Sequence, residues 1–295
     1  MQILIQVKLT IKGMTMQELL YQSALSALRA GELVLKYYGL EEFALKSDSS
    51  PVTKADLESN ALITQELLAN SPYKVCSEEA ILDYEERKGL EYYWLIDPLD
   101  GTKDFLAKNG GWTINIALIH KQRPILGVVY APAFHQLFIA LKGFGSFTFE
   151  IASLKSALKS QTLNALWLEQ NKQKLKGDRI LQEAQILACD SMFHSTQQTQ
   201  EFFQKYNLKV QKYGSSLKVC VLAEGKADIY PRFNGTSEWD TAACDIVLEE
   251  AGGEMLDCET KKPLEYNKPS VRNHYFIAFA KSQVGGKIYQ DFMRG

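Results

Sequence analysis

The stretch Tyr93-Trp94-Leu95-Ile96-Asp97-Pro98-Leu99-Asp100-Gly101-Thr102 decides how the rest of this chain is read. Four apolar residues form a strand pattern, and its end delivers two carboxylates three positions apart, followed by a glycine that lets the backbone turn and a threonine hydroxyl. Carboxylates gathered at a strand tip beside such a turn suit a hard divalent cation next to a phosphate. They predict a metal-dependent phosphatase.

More acids lie on either side. Cys76-Ser77-Glu78-Glu79-Ala80 follows another short apolar strand, and Lys54-Ala55-Asp56 places a carboxylate in the first turn of a helix that Thr53 can cap. Trp239-Asp240-Thr241-Ala242-Ala243 adds one near the far end. Each has an ordinary alternative. Asp56 can stabilise the positive end of its helix, Asp-Pro and Asp-Gly are common turn pairs, and Asp240 can cap a helix from Thr241 to Glu250. Gly214-Ser215-Ser216-Leu217-Lys218 reads either as a phosphate cradle or as a plain helix cap. Turn and cap roles do not predict that the acids recur in this order with Thr102 and Trp239 beside them.

Taken jointly, D-P-L-D-G-T, the E-E before it, the earlier K-A-D and the later W-D-T-A-A resemble the inositol monophosphatase superfamily, and within it the CysQ-type 3'(2'),5'-bisphosphate nucleotidase branch. The likeness runs from Met16 to the C-terminus and is weakest between Glu150 and Gln185. It implies a layered αβαβα sugar-phosphatase sandwich, with an α+β and an α/β part. The implied reaction is attack of a metal-activated water on 3'(2')-phosphoadenosine 5'-phosphate, giving AMP and phosphate. The resemblance puts one Mg²⁺ on Glu78, Asp97 and the Leu99 carbonyl, and a second on Asp97, Asp100 and Asp240. Asp56 is implied near the attacking water or a third ion, and Thr102 with Glu78 is similar to the pair that orients that water. Gly101, Thr102, Lys103, Gly214, Ser215, Ser216, Lys218 and Asp240 are implied substrate contacts. Ser191-Met192-Phe193-His194 and Tyr230-Pro231-Arg232 are implied on the nucleotide side, through Ser191, His194 and Arg232. A second phosphate needs a cation, which Lys103, Lys218 and Arg232 can supply. The chain departs from the pattern at Asp104, where Glu is more usual, at the apolar pair Met192-Phe193, and at Cys244 in a position usually given to Gly. An inositol or other sugar-phosphate phosphatase shares the metal acids and is the alternative reaction. A catalytically silent metal- and nucleotide-binding regulatory module is the alternative of another class, and the complete acid set argues against it.

With 295 residues, 46% hydrophobic and 23% charged, the chain is long enough for two lobes. Helical patterns followed by a strand meander put an α+β lobe with most metal ligands in residues 1–160, of which 1–15 read as a loose appendage. Alternating strand and helix patterns put an α/β lobe with the nucleotide contacts in 161–295. A net charge of -2 and a pI near 6.2 argue against a surface built for long nucleic acids and favour a small anionic partner. The five cysteines are scattered without C-x-x-C, so neither a disulfide framework nor a zinc site is expected. No apolar run nears the ~20 residues that cross a bilayer. The expected place is the cytoplasm, with peripheral contact to the inner membrane left open, as is the oligomeric state.

Overall fold

The computed structural model describes residues 10–11, 13–40, 43–45, 51–179 and 185–295. Residues 1–9 of the expected appendage, the loop 46–50 and the first part of the strand expected from Ile180 lie outside the described residues. The first helix, α1 (Met16–Leu35), begins where Thr15 and Glu18 form a reciprocal capping box, and α2 (Lys54–Asn70) begins on an equivalent box between Thr53 and Asp56. They are followed by β1 (Val75–Ser77), the short α3 (Tyr84–Arg87), β2 (Tyr92–Asp100) and the short α4 (Thr102–Leu106). A meander of β3 (Thr113–His120), β4 (Arg123–Ala131), β5 (Gln136–Leu141) and β6 (Gly145–Phe149) comes next. Helices α5 (Ile151–Lys159) and α6 (Ala165–Asn171) lead to the edge strand β7 (Lys172–Lys174). The seven strands form one sheet in the order β7-β6-β5-β4-β3-β2-β1, antiparallel except for the β1/β2 pair. The polar stretch after Glu150 is therefore two helices and an edge strand of the first sheet. Short loops leave the meander no other way to pair.

The second half carries β8 (Leu187–Ser191), α7 (Gln197–Lys205), β9 (Lys209–Tyr213), α8 (Leu217–Ala223), β10 (Ile229–Arg232), α9 (Glu238–Glu250), β11 (Glu254–Asp257), β12 (Phe276–Phe279) and α10 (Lys287–Arg294). Its strands form a five-stranded sheet ordered β9-β8-β10-β12-β11. Three apolar clusters define the layers. Leu19, Leu20, Ala24 and Leu28 of α1 pack with Ile63 of α2 on Ile114, Ile116 and Val128 of the first sheet. Ala117, Val129 and Phe138 on its other face meet Ala242, Ile246 and Val247 of α9 and Met255 and Ala278 of the second sheet. Phe203 of α7 and Ile288 of α10 cover Ala188, Ile229 and Phe279 on the far face. The result is the layered αβαβα sandwich.

Small residues set how closely the layers approach. A Cβ on Gly127 of β4 would stand 2.4 Å from the Ala243 carbonyl, so glycine at this point lets α9 settle on the sheet. The two sheets' loops meet closely at Gly111 and Gly214, where a Cβ on Gly214 would lie 2.0 Å from the Gly111 carbonyl. That contact brings the Gly214-Ser215-Ser216 turn against the end of β2. Four of the five cysteines are buried, Cys258 is partly exposed, and all five are free thiols.

Candidate active site

Asp97 and Asp100 are an odd number of residues apart, so a regular strand would point them to opposite faces of the sheet. The register of β2 against β3 shifts between them: Asp97 pairs with Asn115 and Asp100 with Thr113, so β2 carries one extra residue. This bulge includes Pro98, which has no ladder N–H to lose, and it turns both carboxylates into the same cavity. Gly101 then takes φ +89°, and a Cβ there would lie 2.2 Å from Ser215 Oγ. Glycine is required twice over, by conformation and by space.

The cavity holds about 910 Å³ and is lined by Glu78, Asp97, Leu99, Asp100, Gly101, Thr102, Lys103, Ser191, His194, Ser215, Ser216, Lys218, Arg232 and Asp240. Two of the residues expected in the site are not on its wall. Asp56 stands behind Thr102, whose hydroxyl donates to Asp56 Oδ1 at 3.3 Å, while Thr53 N–H and Oγ1 donate to Oδ2 at 2.7 and 2.6 Å. Gly214 contributes the close backbone approach described above. Asp240 does not cap its helix. Ser237 is the N-cap of α9 and Asp240 is three residues on, accepting from Ser237 N–H at 2.8 Å in a capping box.

The acids form one cluster in the cavity. Glu78, Asp97 and Asp240 each offer an oxygen within 4.8 Å of the others. Asp100 lines the same cavity, and its Oδ2 accepts from Ser216 N–H and Oγ at 3.0 Å, from Asn115 Nδ2 at 3.2 Å and from Thr113 Oγ1 at 3.4 Å. Burial, followed by the charges of Glu78, Asp100 and Asp240, pushes the Asp97 carboxyl well above the usual range. Burial and the Asp100 and Glu78 charges raise Asp240 to about 8. Mutual repulsion among buried carboxylates is the condition a cation relieves, and an all-oxygen donor set suits a hard one. The residues present fit a divalent metal.

Basic side chains border the acids in the same cavity. Lys218 is buried on α8, its ammonium 5.5 Å from the centre of the Tyr230 ring. Burial and the neighbouring Arg232 charge lower it to about 8, against the upward pull of the Asp100 and Asp104 charges. Arg232 is 9% exposed, its Nε has no hydrogen-bond partner, and one terminal nitrogen reaches the Gly235 carbonyl only at 3.4 Å. Lys103 Nζ lies 3.3 Å from His194 Nε2 across the cleft. His194 is pushed down to about 4 by partial desolvation and by the Arg232, Lys103 and Lys218 charges. These cations are arranged for an anion that compensates them.

Arg272, Asn234 and Thr236 also line the cavity, and no motif in the sequence signalled them. They come from irregular segments after β10 and before β12, which the Ser237–Arg272 bridge and backbone bonds from Glu238 to Val271 and from Asn273 to Thr236 bring together. Arg272 Nη1 donates to Ser237 Oγ at 3.1 Å. Phe193 and Met192, beside His194, are exposed.

The sequence profile of the inositol monophosphatase family matches residues 15–292. The 3'(2'),5'-bisphosphate nucleotidase CysQ of Escherichia coli K12 is 36% identical over 245 residues, covering 81% of this chain and 90% of that protein. The protein of the same name from Buchnera aphidicola is 36% identical over 231 residues, covering 77% and 79%. The crystal structure of CysQ from Bacteroides thetaiotaomicron superimposes with a TM-score of 0.75 at 34% identity, over 88% of this chain and 97% of that one. The Thermotoga maritima IMPase TM1415 shares the fold, with a TM-score of 0.71 at 21% identity over 92% and 95%. No helix among the described residues is long and apolar enough to cross a membrane, and peripheral membrane contact gains no support.

Proposed function

The chain belongs to the inositol monophosphatase family, and from that membership we propose that it is a Mg²⁺-dependent 3'(2'),5'-bisphosphate nucleotidase releasing phosphate and AMP from 3'(2')-phosphoadenosine 5'-phosphate. The observation that carries the substrate assignment is that one cavity holds both a crowded acid cluster and, beside it, the buried cation Lys218 with the under-bonded Arg232. A substrate with a single phosphate satisfies the acids with a metal and leaves the cations bare. A nucleotide bisphosphate satisfies both.

Glu78, Asp97 and Asp240 would hold Mg²⁺, with Asp100 and the Leu99 carbonyl beside them. The metal, when bound, would lower the pKa of a coordinated water and neutralise charge on the phosphoryl oxygens. The protein's own part is orientation. Thr53 fixes one oxygen of Asp56, and the other accepts a hydrogen bond from the Thr102 hydroxyl, so the Thr102 oxygen is turned to accept a hydrogen from the attacking water. Glu78 is the second acceptor for that water. Ser215 and Ser216 fix Asp100 and its carbonyl, which holds the D-G-T turn against the second sheet's loops. Lys218, Arg232 and Lys103 would neutralise the phosphate that is not cleaved, and Ser191 and His194 border the nucleoside.

Rates in Mg²⁺ on 3'-phosphoadenosine 5'-phosphate, myo-inositol 1-phosphate and fructose 1,6-bisphosphate test this reading. A marked preference for the nucleotide is expected. Preference for either sugar phosphate overturns the substrate assignment, and nucleotide binding with no phosphate released from any of the three favours a silent regulatory module.

A further inference from the structure

Glu78 and Asp240 reach the acid cluster from different parts of the fold. Glu78 is in the loop leaving β1, and Asp240 is in the first turn of α9. Behind them lies a buried polar chain that joins the two segments. Arg87, 2% exposed at the end of α3, donates from Nη1 to Asn267 Oδ1 at 3.0 Å and from Nη2 to the Lys268 carbonyl at 2.6 Å. Asn267 Nδ2 returns a bond to the Arg87 carbonyl at 3.1 Å. Its backbone N–H donates to Glu238 Oε2 at 2.9 Å, and Lys268 donates to Glu238 Oε1 from its N–H at 3.1 Å and its ammonium at 2.7 Å. Glu238 is fully buried and opens α9 two residues before Asp240. At the other end, Glu78 is anchored by its own N–H to the Ile96 carbonyl at 3.2 Å, so the loop from Glu78 to Arg87 is fastened at both ends.

None of these groups lines the cavity, and a buried network this dense, which leaves Arg87 Nε without a hydrogen-bond partner, is an expensive way merely to close a loop. Its geometry answers a specific need. Carboxylates drawn from separate segments repel one another before a cation arrives, and the work of holding them together is subtracted from metal affinity unless the scaffold has already done it. We propose that Arg87 and Glu238 are positioning residues that, through Asn267 and Lys268, fix the separation of Glu78 and Asp240 and thereby set the protein's affinity for its divalent metal. This rests on reading the acid cluster as a metal centre.

The test compares Arg87→Lys and Glu238→Gln with the unaltered chain by calorimetric titration with Mn²⁺, together with the Mg²⁺ dependence of the rate and the thermal unfolding of the metal-free protein. Groups that orient ligands from behind typically contribute ~10- to 100-fold to metal affinity, so binding of Mn²⁺ about tenfold weaker is expected in each variant. More Mg²⁺ should be needed for half-maximal rate, with kcat at saturating Mg²⁺ little changed. Unfolding temperatures that fall while Mn²⁺ affinity stays the same would reduce the network to a structural role and overturn the inference. Glu238→Gln keeps its size and one acceptor oxygen and carries the test if Arg87→Lys fails to fold. Failure of the metal-centre reading is distinct: the unaltered chain itself would not bind Mn²⁺.

Discussion

Asp97→Asn is expected to cut turnover by at least on the order of a thousandfold, because it takes a charge from the centre of the acid cluster at constant size. Its structural consequence should run the other way. Asp97 is 1% exposed and lies among Glu78, Asp100 and Asp240, whose charges and whose burial push its carboxyl upward. An amide relieves that crowding, so the metal-free variant should resist denaturant better than the unaltered chain. Mg²⁺ stabilises the folded state only to the extent that it binds there. The variant should therefore lose most of the rise in unfolding midpoint between EDTA and Mg²⁺. Rates and denaturation curves with and without Mg²⁺ check both halves, and a variant that kept its activity and its Mg²⁺ response would remove Asp97 from the ligand set.

Lys218→Met is the corresponding change among the basic side chains. A charge-assisted contact contributes ~1.5–3 kcal/mol, so a loss of roughly ten- to a hundredfold in kcat/KM is expected on 3'-phosphoadenosine 5'-phosphate and little on 3'-AMP, which lacks the second phosphate. The pH profile carries an independent signature. Burial and Arg232 lower Lys218 from 10.5 to about 8, so its ammonium is charged below that pH and neutral above it. In the unaltered chain kcat/KM on the bisphosphate should decline as pH rises through about 8, and this limb should be missing in Lys218→Met. The stability sign follows from the same shift: the unfolded chain binds the proton more tightly, so Lys218 is a cost to the fold below about pH 8 that disappears between there and 10.5. Lys218→Met should accordingly be more stable at neutral pH. Equal losses on both substrates would mean that Lys218 does not read the second phosphate.

Both substitutions trade function for stability because Asp97 and Lys218 are charges whose burial is costly to the fold. This is also why the site was so legible in the sequence. Asp97, Asp100, Gly101 and Thr102 are contiguous, and residues whose positions are costly to the fold have no ordinary reason to be there. The bulge that turns Asp97 and Asp100 to one side was not readable, because strand periodicity alone places them on opposite faces. Asp240 was legible as an acid but not as the third residue of a capping box, since Ser237 and Asp240 are equally good caps by type. The helices capped by Thr15 and Thr53 and the antiparallel meander from Thr113 to Leu141 followed from local signals. The edge strand Lys172–Lys174 did not, because a polar edge strand has no apolar face to announce it. Arg272 and the chain from Arg87 to Glu238 depend on contacts between segments far apart in sequence, and no motif encodes such contacts.

The central claim is that the cavity recognises two phosphates at once. The most direct measurement is the ratio of kcat/KM for 3'-phosphoadenosine 5'-phosphate to that for 3'-AMP on the unaltered protein in Mg²⁺, since the two substrates present the same scissile group and differ only in the 5'-phosphate. One or more buried charge-assisted contacts predict a ratio of at least about ten in favour of the bisphosphate. A ratio near one, or one favouring 3'-AMP, would contradict the account.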